Sequence, residues 1–200
     1  MIILIQSYIK FLPLVYIAIT AGLIFSLYMK QTKRFIKPAV IFVCISIVLK
    51  IILEFFGQYY IWSNGDASRG LLPPYTPITY FLGYCAYHFA WPILSALLVG
   101  LVFIVLAKIL NKRFNQRFFE DDEPWHIIYG LVIVGHPYWI FYIFAVIISA
   151  VLIYLFNLIF KKMEYGQTFS LYQLWLPLAL IIMIFSDWVI KIPIIQSLKF

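Results

Sequence analysis

The most distinctive stretch of the chain covers residues 117–139 and has the sequence RFFEDDEPWHIIYGLVIVGHPYW. Four consecutive acids, residues 120–123, stand just before an apolar run, residues 125–134. At about 1.5 Å per residue, a helix of this length does not cross the roughly 30 Å of hydrocarbon in a bilayer. The stretch therefore predicts a hairpin whose first arm is too short to span a membrane.

The composition of the whole chain excludes a soluble protein. Of its 200 residues, 64% are hydrophobic and 12% are charged, and the mean hydropathy is +0.97. An average soluble domain carries about 25% charged residues, so this chain has more apolar surface than a core of its size can bury. Its apolar runs are long and unbroken, whereas the strands of a membrane β-barrel alternate in polarity. We therefore expect one all-α, polytopic transmembrane domain over residues 1–200.

Five apolar segments are long enough to be full or nearly full spans. The sequence predicts them at residues 11–29, 38–56, 78–106, 138–160 and 171–186. Together with the run at 125–134, this gives about five full spans and one short hairpin arm. Pro38 fits the first turn of its helix, where its missing N–H costs nothing, and Pro92 is expected to kink its span.

The basic residues predict how the spans are oriented. Most of the Lys and Arg residues fall in three loops, and cytoplasmic loops carry an excess of such residues; the loops are 30–37, 108–124 and 161–162. The polar loop 57–77 contains a single basic residue, Arg69, and is predicted to lie outside. In a cell membrane this threading places the N-terminus outside and the acidic residues 120–123 in the cytoplasm.

Several ionisable residues fall inside the predicted spans. Lys50 and Glu54 are four residues apart on one helix face, which predicts either a mutual ion pair or, with His88, a functional polar site. The three histidines are expected at three depths, with His126 cytoplasmic, His88 in mid-membrane and His136 near the outer face. Such an arrangement predicts no metal site, and no cofactor is expected.

The ends of the short helix carry their own signals. Pro124 fits a first helical turn, where Asp122 or Glu123 is expected to cap free N–H groups and to oppose the positive end of the helix dipole. Gly135 supplies the left-handed conformation that ends many helices. Pro137 cannot continue a helix and disfavours helical geometry at the residue before it. The chain is therefore expected to turn back at this point.

The acids at 120–123 have two interpretations. In the first, they form a solvated patch whose negative charge balances the basic residues of 108–117. In the second, they are crowded carboxylates that raise one another's pKa at a membrane edge. The second arrangement is a starting condition for acid–base chemistry or cation binding. The sequence alone leaves both open.

The region 120–180 resembles the C-terminal part of the bacterial prepilin peptidases, a family of polytopic membrane aspartic proteases. In that family a Gly-x-Gly-Asp motif at the cytoplasmic membrane edge is followed by a short apolar helix, a break and a full span. Here the same order is EDDE, residues 125–134, Gly-His-Pro and residues 138–160. The resemblance implies that Asp122 or Glu123 stands at the catalytic position. Both motif glycines are replaced by acids, and the family's second aspartate and its Cys-x-x-Cys motifs have no counterpart.

Three functions follow from these patterns as hypotheses. The first is a non-catalytic component or scaffold of an envelope assembly, with the lipid bilayer and other membrane proteins as partners and no nucleic acid. The second is a prepilin-peptidase-like aspartic endopeptidase that acts at the cytoplasmic face. The third is ion or proton passage through Lys50, Glu54 and His88, which requires polar side chains stacked through the membrane.

Overall fold

The computed structural model describes residues 2–113, 119–120, 122–160, 171–189 and 191. Within these residues the chain is helical and contains no strand, which confirms the all-α polytopic class. The elements are α1 (Ile2–Tyr28), α2 (Thr32–Asn64), α3 (Ile78–Cys85), a π-helical turn (Ala86–Ala90), α4 (Trp91–Arg113), α5 (Glu123–Val134), α6 (Trp139–Ile159), α7 (Trp175–Ile184) and α8 (Ser186–Val189).

Four stretches of the described chain are long and apolar enough to cross a membrane. They are Ile3–Tyr28, Thr32–Asn64, Ile78–Arg113 and Trp139–Ile159. Of the segment 171–186, which we predicted as a fifth span, the α-helix α7 covers ten residues, Trp175–Ile184. A 3₁₀ turn, Leu171–Gln173, precedes α7, and the backbone leaves α-helical geometry at Phe185. The described part of the chain thus combines four long helical stretches with two shorter apolar helices, α5 and α7, and the four-residue helix α8.

Helix α2 is longer at both ends than predicted. It begins at Thr32, so Pro38 lies in its second turn rather than its first, and it continues to Asn64, so the predicted loop 57–77 begins eight residues late. Packing explains the extension, because Trp62 is buried against the rings of Phe81 and Tyr84 at centroid distances of 5.4 and 4.9 Å.

The third span is irregular near Pro92, as the sequence predicts, but the irregularity lies before the proline. The five residues Ala86–Ala90 form a π-helical turn that joins α3 to α4. A π-helical turn widens the helix locally and is frequent at functional sites. His88 lies in this turn.

Helix α5 is the centre of the bundle, although it is one of the shortest helices. It packs against α2, α4 and α7 and is buried over most of its length. Its bounds, Glu123–Val134, agree closely with the prediction. Gly135 has a φ of 67°, its N–H donates to the carbonyl of Leu131 at 2.9 Å, and α6 begins at Trp139. The predicted end of the helix and the turn after it are therefore confirmed.

The heads of α5 and α7 lie at the same end of the bundle as the connection between α1 and α2. Lys33 of α2 pairs with Asp122 at 3.1 Å, and Trp175 of α7 bonds Glu123. We call this the basic end, defined by Lys33, Asp122 and Trp175, and the opposite end the far end. The predicted loop residues 161–162, together with 114–118 and Asp121, lie outside the described residues.

Candidate functional site

The head of α5 holds a buried carboxylate. Glu123 has no exposed surface, and its two carboxylate oxygens accept hydrogen bonds from the indole N–H of Trp175 at 2.7 Å and the backbone N–H of Glu120 at 3.0 Å. The N–H of Glu123 donates in turn to the carbonyl of Glu120 at 3.1 Å. This reciprocal pair is similar to a capping box, and it fixes the chain as it enters the helix.

Asp122 does not cap the helix, contrary to the prediction. It occupies the N-cap position of α5 without a side-chain hydrogen bond to the helix, and its carboxylate pairs with Lys33 instead. Glu123 likewise bonds the N–H of Glu120, which precedes the helix. The acids thus tie α5 to α2 and α7 rather than covering its free N–H groups. Burial raises the pKa of the Glu123 carboxyl, while its two N–H donors lower it.

His126 lies one turn into α5 and is also fully buried. Its Nδ1 is 3.0 Å from the carbonyl of Asp122, and because a carbonyl only accepts, Nδ1 carries the proton in this bond. The ring packs on Tyr172 at a centroid distance of 4.4 Å. Burial lowers the pKa of His126. Its Nε2 has no hydrogen-bond partner within the described chain, so the neutral ring presents a buried lone pair.

The cluster at the basic end lacks the geometry of an aspartic dyad, in which two carboxylates share one proton across a water. The carboxylates of Asp122 and Glu123 have different partners, Lys33 and Trp175. Both oxygens of Glu123 are occupied by donors of the protein itself. Asp122 and Glu123 are adjacent in sequence, but their side chains contact different helices, α2 and α7.

A second polar cluster surrounds a cavity of about 270 Å³ near the far ends of α5 and α7. Its ionisable lining residues are Lys50, Glu54, His88 and His136. The expectation that His88 and His136 lie at separate depths is therefore wrong. Helix α5 ends partway along α2, which places the turn after α5 beside the π-helical turn.

The cavity lies about halfway along α2, one of the four described helices that are long and apolar enough to cross a membrane. Along α2, Lys37 contacts the ring of Trp125 at the basic end with its ammonium 5.7 Å from the centroid, and Lys50 lies thirteen residues further on. Thirteen residues correspond to roughly 20 Å, which is less than the ~30 Å of hydrocarbon in a bilayer. The turn that contains Gly135 and His136 is non-helical, and such backbone occurs at this depth where it is buried in protein or lines a cavity.

The side chains around the cavity are partly engaged with one another. Lys50 and Glu54 form the predicted i,i+4 pair, with 3.7 Å between Nζ and Oε1, and their side chains are 33% and 17% exposed. The His88 ring packs against Tyr84 at 4.3 Å and Tyr87 at 5.3 Å between centroids. The structure therefore brings together the three residues that we grouped as a polar site and adds His136 to them.

Buried hydroxyl groups extend from the far-end cavity toward the α5 residues near His126, and the sequence analysis missed them. Tyr16 lines the cavity and its hydroxyl lies 2.8 Å from that of Ser46. One turn along α1, the Thr20 hydroxyl lies 3.0 Å from that of Tyr129, which is one turn of α5 beyond His126. Thr20 donates to the carbonyl of Tyr16 at 2.6 Å. Isolated hydroxyls in apolar runs were the only signal.

The described part of the chain holds no cluster of three candidate metal ligands. No three His, Cys, Asp or Glu side chains there are close enough to hold an ion. Comparison with protein-family models, curated proteins and solved structures found no match for this chain.

Proposed function

We propose that the protein passes protons across a membrane, with the far-end cavity as the site where they bind. The observation that carries this proposal is the convergence of Lys50, Glu54, His88 and His136 on one cavity about halfway along α2, a helix long and apolar enough to cross a membrane. Ionisable side chains inside a membrane are costly and are concentrated in ion pathways and proton relays. Histidine is suited to this role because its ordinary pKa lies near physiological pH.

The buried hydroxyl groups of Tyr16, Thr20 and Tyr129, which we call the hydroxyl row, support the proposal because they extend the polar path toward the basic end. The row leads from the cavity through Tyr16, Thr20 and Tyr129 toward His126. In the present arrangement Thr20 donates to a backbone carbonyl. Transfer of a proton along the row therefore requires this hydroxyl to rotate. His126 lies one turn of α5 from Tyr129 and presents a buried lone pair that can accept a proton, but no hydrogen bond joins the two side chains, so the last transfer requires a bridging water.

The orientation is part of the proposal. The basic end carries Lys33 and Lys37, together with Lys108 and Lys112 at the end of α4, and an excess of basic residues favours the cytoplasm. The cavity then lies nearer to the outside. Helix α1 runs from the far end toward the basic end, which would place its N-terminal residues outside and the acids at 120–123 inside the cell.

Reconstitution tests proton passage directly. Purified protein is placed in liposomes that contain a pH-sensitive dye, and a pH gradient is imposed while a potassium ionophore controls the voltage. We expect the parent protein to dissipate the gradient faster than protein-free liposomes. Glu54→Gln and His88→Gln each remove a protonatable group from the cavity and should slow the flux by on the order of tenfold or more.

Asp66→Asn provides the matched control, because it removes an exposed carboxylate from the loop after α2, away from the cavity. It should leave the flux unchanged. Thermal unfolding in detergent separates loss of flux from loss of folding. A parent protein that gives no flux above empty liposomes, with a pH gradient and with a voltage, would overturn the proposal, as would equal losses in Glu54→Gln and Asp66→Asn.

A non-catalytic component of a larger membrane assembly is the second candidate. The acids contact other helices of the same chain, which favours this candidate: Glu123 accepts a hydrogen bond from Trp175, and Asp122 forms a salt bridge with Lys33. Such a protein should be recovered with a stoichiometric membrane-protein partner after mild solubilisation. The peptidase hypothesis has less support, because it needs a second carboxylate that faces Glu123 across a water, and both oxygens of Glu123 already accept hydrogen bonds.

A further inference from the structure

A separate cavity of about 340 Å³ opens at the basic end, between the last turns of α4 and the segment that leads into α5. Lys108 and Lys112 of α4 line one wall, and Phe119 and Glu120 line the other. The side-chain amide of Asn111 donates to the carbonyl of Phe119 at 2.7 Å and accepts its N–H at 3.0 Å. These two hydrogen bonds hold the second wall against α4.

The cavity has a net positive charge. Its lining contains two lysines and one acid, Glu120. Both lysines are exposed, and neither forms an ion pair with another part of the described chain. They are four residues apart on one helix, so their ammonium groups can approach a single anion from the same side. Lysine binds phosphate as a mobile point charge.

The surface of α4 directly before the lysines is apolar and faces outward. Leu98, Leu101 and Val105 are each more than half exposed, at 53%, 54% and 55%. At 100° per residue these three side chains and the two lysines fall on one face of α4. The face therefore passes from hydrocarbon-compatible side chains to cationic ones at the point where the predicted span ends. This is the polarity profile of a phospholipid.

We infer that this cavity binds the headgroup of an anionic phospholipid. The phosphate lies between Lys108 and Lys112, and an acyl chain follows Leu101 and Val105 along α4. The inference is independent of proton passage, since the residues that carry it are not part of the far-end cavity. A zwitterionic headgroup carries its own cation and gains less from the two lysines.

Native mass spectrometry of the purified protein in neutral detergent measures the binding. The lipids compared are phosphatidylglycerol and phosphatidylcholine, and the variant is Lys108→Gln with Lys112→Gln. We expect the parent to prefer phosphatidylglycerol. The variant should bind it roughly 30-fold more weakly, from about 1 kcal/mol per lysine at an anionic lipid surface. Its affinity for phosphatidylcholine should hardly change.

The control variant carries Arg69→Gln with Lys191→Gln, which removes the same charge from exposed side chains beyond the ends of α2 and α7. It should keep the preference for phosphatidylglycerol. Equal weakening in both variants would assign the effect to net charge and overturn the inference. The same follows if inorganic phosphate occupies the site and phosphatidylglycerol shows no advantage over phosphatidylcholine, because the ligand is then a soluble anion.

Discussion

Trp175 donates its indole N–H to the carboxylate of Glu123 at 2.7 Å and joins the first turns of α7 and α5 across 52 positions of the sequence. Both side chains are buried, with Trp175 2% exposed and Glu123 0%. A buried carboxylate is costly unless donors satisfy it. This contact therefore holds α5 and α7 together at their first turns. Neither helix is long enough to cross a membrane by itself.

Trp175→Phe tests the strength of this contact. The substitution keeps an aromatic ring but removes one of the two donors to Glu123, so the unfolding free energy in detergent should fall by about 2 kcal/mol. Trp188→Phe is the control, because Trp188 is 72% exposed and the change should have little effect. In Trp175→Phe combined with Glu123→Gln the two effects should be less than additive. Full additivity would mean that the hydrogen bond contributes nothing.

Gly130→Ala should destabilise the bundle. A Cβ at this position would overlap the ring and hydroxyl of Tyr142, which crosses α5 at Gly130 to donate to the carbonyl of Trp175 at 2.8 Å. Overpacking of this kind costs about 1–3 kcal/mol, measurable as a lower unfolding temperature in detergent. Gly22→Ala, where a Cβ meets no atom within 4 Å, should be neutral or stabilising. Equal losses in the two variants would contradict the close approach.

Thr20→Val should leave the Tyr129 hydroxyl buried without its partner. Valine has the shape of threonine but neither accepts from Tyr129 nor donates to the carbonyl of Tyr16, bonds of 3.0 and 2.6 Å in the parent. The unfolding free energy should fall by about 1–3 kcal/mol, the usual cost of an unsatisfied buried group. Thr20→Ser keeps the hydroxyl and should recover most of the loss. If Thr20→Ser is as destabilising as Thr20→Val, the hydroxyl of Thr20 contributes no more than the methyl group that serine lacks, and the prediction is wrong.

Cysteine labelling tests the two ends of the bundle. In a variant with Cys44 and Cys85 replaced by alanine, cysteines at Asp66 and at Lys112 should react with a membrane-impermeant thiol reagent from opposite sides. Asp66 is chosen as the labelling site in this loop because a Cβ added at the neighbouring Gly65 would overlap the hydroxyl of Ser68. We expect Asp66→Cys to react in intact cells and Lys112→Cys only after permeabilisation. Reaction of both in intact cells would refute the arrangement.

Local chemistry was enough to predict the short helix. Pro124, Gly135 and Pro137 act on the backbone within a few residues, and the observed bounds of α5 agree with them. The bond between Trp175 and Glu123 had no such signal, because it depends on the packing of two helices. The same holds for α2, which packing of Trp62 extends beyond its predicted end.

The far-end site was predicted in part. Lys50 and Glu54 follow from helical spacing, but the position of His136 beside His88 follows from where α5 stops relative to α2 and the π-helical turn. The sequence of one segment specifies neither the depth of its residues in the bundle nor the residues of other helices that they contact. Thr20 was overlooked for the same reason, since a lone hydroxyl in an apolar helix acquires meaning only when Tyr129 is placed against it.

The short length of α5 and α7 also has a consequence for biogenesis. Neither helix is long enough to be released into the bilayer by the translocon as an independent segment. Because the chain is synthesised from its N-terminus, we expect α1 to α4 to insert first and α5 to enter by packing against α2 and α4. Helix α7 follows, and Trp175 then reaches Glu123. A chain that stops before α7 would leave the buried Glu123 carboxylate without its Trp175 donor, so we expect α5 to be held less firmly in the bundle until α7 has packed.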